Sequence, residues 1–182
     1  MPPRCHADTV KTDLKREISV YTALRGGFKI VTVPPQRFLA IEGSEDPNTS
    51  AAYRDAVASL YPLAYAGKAL SRRESGRDFV VMPLEAPWSA ADMAAYTTAR
   101  DKSRWDWTLL LAQPDWIDEA QVDEARAEVR RKNRAPRLDA VRLERLAEGL
   151  CAQRLHIGPY AYRRSLFSRT RMLTWMGEPS KP

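Results

Sequence analysis

Glu85 is the one carboxylate in the otherwise apolar run from Phe79 to Trp88, and its chemistry sets the first expectation. An ionised carboxyl among Met, Leu, Pro and Trp costs free energy unless something pairs with it. It therefore reads either as a ligand-facing, water-activating group or as a residue turned outward, since a period-two strand puts Leu84 and Glu85 on opposite faces. If it is enclosed, burial raises its pKa and a cationic ligand lowers it again. Four of the five tryptophans follow between Asp78 and Trp116. Flat aromatic walls with one such carboxylate suit a planar or cationic organic ligand better than a phosphate or a peptide. Trp88 and Trp107 are the expected cage walls. Trp105 is carried as a further ligand-side residue, although it and Trp116 also fit packing roles.

Tyr61 and Tyr65 stand one helical turn apart and share a face, so they either line the ligand site or pack a helix on its sheet. His156 and Tyr160 are the two candidate proton donors near the end of the last clear strand. A lone strand histidine is more often a hydrogen-bonded structural residue. Cys5-His6 and Cys151 with His156 do not make a metal site, because a closed zinc site needs four ligands at defined spacings. No P-loop, GxGxxG, HExxH or GxSxG motif occurs, so nucleotide, zinc-protease and serine-hydrolase chemistry have no support and no cofactor is expected.

The elements that must position these groups belong to a chain of 182 residues, 44% hydrophobic and with only 8 glycines, enough for one well-packed domain. No apolar run approaches the roughly 20 residues that span a bilayer, and the N-terminus lacks the apolar core of a signal peptide. Two cysteines form no disulfide framework. A reduced, cytoplasmic, membrane-free protein is the expectation. Much of the net charge of +6 lies at the end, where Arg163, Arg164, Arg169, Arg171 and Lys181 face Glu178 alone. In the rest of the chain the charges alternate along helical faces without a basic stripe, so no nucleic-acid partner is expected.

Phe28–Val33 and Arg37–Gly43 read as two strands around Pro34-Pro35, in a hairpin or close connection. Asn48 or Thr49 reads as the N-cap of a helix reaching about Gly67, with Pro62 predicting a kink or break. Asp78–Leu84 reads as a strand, and so does Trp105–Ala112, with Trp105, Trp107, Leu109 and Leu111 on one face. Asp118 with Gln121 resembles a capping box at the head of a helix ending near Lys132. Ala140–Leu146, Glu148-Gly149 and Cys151–Ile157 read as strand, turn and strand. The fold class is therefore α+β, in two similar halves.

From Thr12 to about Tyr160 the chain resembles the GyrI-like small-molecule-binding family. The matching stretches are Phe38-Leu-Ala-Ile-Glu-Gly43 with Asp46-Pro-Asn48, Leu60-Tyr61 through Tyr65 to Lys68, Asp78 to Glu85 with Trp88, Trp105-Asp-Trp107-Thr108, Gln113-Pro-Asp-Trp116, Glu148-Gly149 and Leu155-His-Ile-Gly-Pro-Tyr160. The resemblance implies two strand-helix-strand-strand units related by a pseudo-two-fold axis, with a ligand groove between them. Relatives include the gyrase-inhibitory protein, which leaves a protein partner such as gyrase open, and the effector-binding domains of multidrug-responsive regulators. The Trp-rich middle and the His-Ile-Gly-Pro-Tyr segment are more similar to the cyclopropanoid cyclopropyl hydrolases, which open the strained ring of DNA-alkylating natural products within an aromatic cage. That likeness implies detoxification of a planar electrophile. A drug-sequestering or effector-binding protein without chemistry is the alternative. The resemblance also divides the chain into a small-molecule-binding domain, 1–160, and a divergent basic segment, 161–182. In that segment the family's usual final strand, with its ligand-facing glutamate, has no counterpart.

Overall fold

A computed structural model describes residues 11–23, 27–95, 98–99, 101–132 and 135–155. His156, Tyr160 and the whole 161–182 segment, with the question of the final strand, lie outside the described residues. The fold is mixed α+β with antiparallel sheets. In chain order the main elements are α1 (Leu14–Glu17), a 3-10 turn (Ser19–Tyr21), β1 (Lys29–Val33), β2 (Gln36–Ser44), α2 (Ala51–Ser75), β3 (Trp88–Ser89), β4 (Asp106–Gln113), α3 (Glu119–Arg131), β5 (Arg142–Leu146) and β6 (Gly149–Gln153). A four-stranded sheet has the order β3-β4-β2-β5, and β1 pairs with β6 in a separate two-stranded sheet.

The expected hairpin of the first two strands does not form. β1 pairs antiparallel with β6, while β2 lies between β4 and β5. Burial explains the difference: Phe38 to Ile41 are all buried, so β2 is apolar on both faces and belongs at the centre of a sheet. The strand expected over 78–84 is also absent. Phe79 bridges Thr12 and Glu85 bridges Leu110, but regular pairing begins only at Trp88. Pro83 and Pro87 carry no backbone N–H to give a ladder, and Phe79 and Met82 hold the extended segment by burial instead.

Both long helices cover one face of the larger sheet. β2 leads into α2 and β4 into α3, and Leu60, Leu63, Val122, Ala125 and Val129 pack with Leu39, Ile41, Trp107, Leu109 and Leu111 in one core. The alternation read in 105–112 thus places Trp107, Leu109 and Leu111 together, as period two requires. The opposite face carries a smaller cluster of Phe38, Ala40, Leu110 and Ala112, capped by Leu14 and Met82 with Ile18 and Tyr21 beside them.

Ser50, not Asn48 or Thr49, caps α2 by accepting from the Tyr53 N–H. The helix passes both Pro62 and Gly67 and runs to Ser75. Its buried face, including Leu60, Leu63, Ala64 and Leu70, lies against the sheet, and that burial outweighs one missing hydrogen bond. It stops where Gly76 turns left-handed at φ 69°, a conformation that favours glycine. α3 begins with the capping box anticipated in the sequence: Asp118 accepts from Gln121 N, and the Gln121 side chain accepts from Asp118 N. Asp118→Ala should lower stability by about 1 kcal/mol, read as a smaller denaturant midpoint with an unchanged slope. No loss would mean that the helix is held by its packed face alone.

Candidate functional site

The bridge to Leu110 decides which way Glu85 points. Glu85 N–H donates to Leu110 O at 2.9 Å and Leu110 N–H to Glu85 O at 2.8 Å, so the two residues sit side by side on adjacent strands. Cross-strand partners share a face. Leu110 belongs to the cluster on the face opposite the two long helices, and Glu85 projects there too. The outward reading of Glu85 is thereby corrected, since only 4% of the residue is exposed.

Three elements converge on its carboxyl group. The short α1 and the 3-10 turn lay the N-terminal segment across this face, beginning where Thr12 N–H donates to Asp78 O and Val80 N–H to Thr12 O. That path delivers Tyr21, whose hydroxyl donates to Glu85 Oε1 at 2.8 Å and lies 3.0 Å from Gln36 Oε1 at the start of β2. Gln36 is itself buried. Burial pushes the Glu85 carboxyl up to about 7, against the Tyr21 hydrogen bond, which lowers it, and with the negative charge of Glu148, which raises it further. Burial and then the charge of Glu85 push the Tyr21 phenol above its ordinary range, so it stays a protonated donor. Among the described residues no lysine or arginine forms an ion pair with Glu85.

A carboxyl with this titration point is half ionised near neutrality, and among the described residues its charged form is paired with no cation. Two kinds of chemistry follow: it can take a proton from a water molecule, or it can attract a cationic ligand.

The tryptophans occupy the other side of the sheet. Trp88 and Trp107 are register partners, and both pack with the helix-side core. Trp107 is 2% exposed and its Nε1 donates to Ser44 O at 3.1 Å. Tyr53 meets it edge-on at 5.2 Å and stacks on Trp88 at 6.3 Å, and Trp105 meets Trp88 edge-on at 5.6 Å. Trp88 and Trp105 are half-buried and present an aromatic surface, whereas Trp107 is enclosed by protein. Trp116 has the packing role expected of it, against Phe79 and under Arg77, with its Nε1 donating to Ser71.

The structure therefore does not gather Glu85 with Trp88 and Trp107 on one wall. Residues 85 and 88 differ by an odd number in an extended segment, so their side chains leave opposite faces. Of the two helix tyrosines, Tyr61 packs at the edge of the helix-side core. Tyr65 is exposed on the outer side of α2, in an open depression of about 630 Å³ that Lys68, Arg72 and Asp78 also line. Neither borders Glu85. Tyr21 and Gln36 were not singled out in the sequence. The one available signal was that 18–23 holds a tyrosine in an apolar stretch ahead of the first strand.

Among the described residues no group of three His, Cys, Asp or Glu is placed to hold a metal ion, and no helix is long and apolar enough to cross a membrane.

No protein-family model and no curated protein matches the chain. Solved structures do. An uncharacterized conserved protein from Listeria innocua is 34% identical with a TM-score of 0.75, over 83% of this chain and 74% of the other. Two crystal structures of Listeria innocua hydrolases are 32% and 34% identical, with TM-scores of 0.71 and 0.73, each over 84% of this chain and 74% of the other. With identity above 30% across three quarters of those proteins, the chain belongs to the family of these Listeria innocua proteins, two of whose crystal structures are of hydrolases.

Proposed function

We propose that this protein is a cytoplasmic GyrI-like hydrolase that detoxifies a planar, electrophilic small molecule, with Glu85 as the carboxylate that activates water. The observation that carries this reading is the enclosed Glu85 carboxyl, pushed up to about 7 and bonded to Tyr21 on the face opposite the two long helices. A general base works best with a pKa near the working pH. The hydrolases among the structural relatives support the reaction class. The likeness to cyclopropanoid cyclopropyl hydrolases supplies the substrate class.

In such a substrate a cyclopropane is fused to a conjugated dienone. Water attacks the strained CH2 carbon and gives one proton to Glu85. The ring C–C bond breaks, and its electron pair moves through the conjugated system to the carbonyl oxygen. That oxygen takes a proton, from His156 or Tyr160 in this reading, and becomes a phenol. The product is the substrate plus one water. Ring strain drives the step, so the protein's contribution is position and the proton acceptor.

A second reading rests on the half-buried Trp88 and Trp105 beside Tyr53: a flat ligand held on that aromatic surface without chemistry, as a drug-sequestering or effector-binding protein. One experiment separates the two. The protein is incubated with a cyclopropapyrroloindole-type alkylator and the products are followed by liquid chromatography and mass spectrometry. Hydrolysis predicts a water adduct formed with turnover, reduced by about 10²- to 10⁴-fold in Glu85→Gln and little changed in Trp88→Ala. Sequestration predicts unchanged compound with tryptophan quenching, lost in Trp88→Ala and kept in Glu85→Gln. Unchanged compound without quenching sinks both.

A further inference from the structure

The phenol of Tyr21 has one proton and two acceptors within reach. Its oxygen lies 2.8 Å from Glu85 Oε1 and 3.0 Å from Gln36 Oε1, and the proton can serve only one of them at a time. Glu85 is 4% exposed and Gln36 7%, so neither acceptor has much water to turn to. Among the described residues, the single proton of Tyr21 leaves either Glu85 Oε1 or Gln36 Oε1 without that donor while Glu85 is ionised. When Glu85 is protonated, its carboxyl O–H becomes a second donor and the phenol proton is free for Gln36.

We propose that Tyr21 is the positioning residue of Glu85 and acts as a swivel, giving its proton to Glu85 Oε1 when the carboxyl is ionised and turning it to Gln36 Oε1 when the carboxyl is protonated. In the second state the Glu85 O–H donates to the Tyr21 oxygen. Tyr21 thus holds Oε1 in both states. This rests on the reading of Glu85 as the reacting carboxylate. It adds the device that keeps that carboxylate in place while it gains and loses a proton.

The surroundings fit a fixed tyrosine with a mobile hydrogen. The turn that carries Tyr21 is closed by Tyr21 N–H to Ile18 O at 3.1 Å and Thr22 N–H to Ser19 O at 3.1 Å. Val20, next to Tyr21, packs on Val33 and Cys151, and the Gln153 amide donates to Val20 O. The ring itself lies against the small cluster on the face opposite the two long helices. Three elements thus meet at one hydroxyl: the N-terminal turn, β2 through Gln36, and the segment before β3 through Glu85. Among the described residues Glu148, in the link between β5 and β6, also acts by its charge on both Tyr21 and Glu85, and it disfavours the ionised carboxyl.

The swivel has a signature that a merely structural tyrosine lacks, because its two partners affect opposite protonation states. Removing Tyr21 takes a charge-assisted donor from the ionised form and only a weaker, neutral acceptor from the protonated form, so Tyr21→Phe should raise the titration midpoint of Glu85, by up to about one pH unit. Removing Gln36 takes the acceptor that the tyrosine needs only when Glu85 is protonated. Gln36→Leu should therefore lower the midpoint, by a similar amount. The carboxyl carbons of 13C-glutamate-labelled protein, followed by NMR from pH 4 to 9, read the midpoint directly, and Glu85→Gln identifies the resonance.

Shifts of opposite sign in the two variants establish the swivel. An unmoved midpoint in Tyr21→Phe overturns it. A rise in Gln36→Leu also overturns it, since Gln36 would then be donating through its amide in a fixed chain. Should Tyr21→Phe not fold, the sign in Gln36→Leu still decides. The titration uses no substrate, so it is independent of turnover. Opposite shifts without hydrolysis would refute the proposed reaction and keep the swivel, and hydrolysis with unmoved midpoints would do the reverse.

Discussion

Glu85→Gln is expected to be more stable than the parent protein at pH 8 by up to about 3 kcal/mol, and about equally stable near pH 4. The folded carboxyl titrates at about 7 and its unperturbed value is 4.5, so folding raises its pKa. A raised carboxyl contributes stability that is complete below the unfolded value and is lost as pH climbs through the folded one. Between about 4.5 and 7 the parent protein should therefore lose stability that the amide, which never ionises, keeps. Glutamine also preserves an oxygen for the Tyr21 hydroxyl. The measurement is urea unfolding of both proteins at several pH values, taken as the difference between them so that other carboxylates cancel. A difference that stays flat with pH would show that Glu85 is solvated and titrates ordinarily. The same variant should lose turnover, as enzymes that keep a destabilising charge in an active site trade stability for function.

Trp107→Ala is expected to lower stability by about 3–5 kcal/mol, the range for emptying a large aromatic site in a core. The ring is enclosed, its Nε1 donates to Ser44 O, and Tyr53 packs edge-on against it. Its neighbour on β2 is Gly43, its register partner, where an added Cβ would run into the ring. Gly43→Ala should consequently cost about 1–3 kcal/mol by overpacking. The two changes should not add: with the indole gone, the alanine methyl has space, and Gly43→Ala in a Trp107→Ala background should cost much less than alone. Denaturant midpoints of the four proteins close this cycle. If Trp107→Ala unfolds at the parent midpoint but fails to bind a flat ligand, Trp107 is a cage wall after all and not a support of the core.

These two residues show how differently the sequence spoke about them. The chemistry of Glu85 was legible, because a carboxylate in an apolar run must be paired, hydrated or perturbed, and burial perturbs it. Trp88 and Trp107, the expected cage walls, lie on the other face of the sheet from it. The parity of positions 85 and 88 was already in the chain and separates them on any extended backbone. What the sequence withheld was the paired residue: Tyr21 and Glu85 are 64 positions apart, and nothing local marks either as the other's partner.

Local physics accounts for the elements that were anticipated. The Asp118–Gln121 box and the alternation in 105–112 each depend on residues within one element, so the sequence by itself determined them, and with them the α+β class. Tertiary structure alone decided that β1 leaves β2 for β6, that α2 continues past Pro62 and Gly67, and that Glu85 meets Tyr21 and Gln36 behind the sheet while Trp107 closes the core in front. Those outcomes are set by which apolar faces bury each other across the fold. Burial is proportional to area shared between distant segments and carries no sequence-local sign.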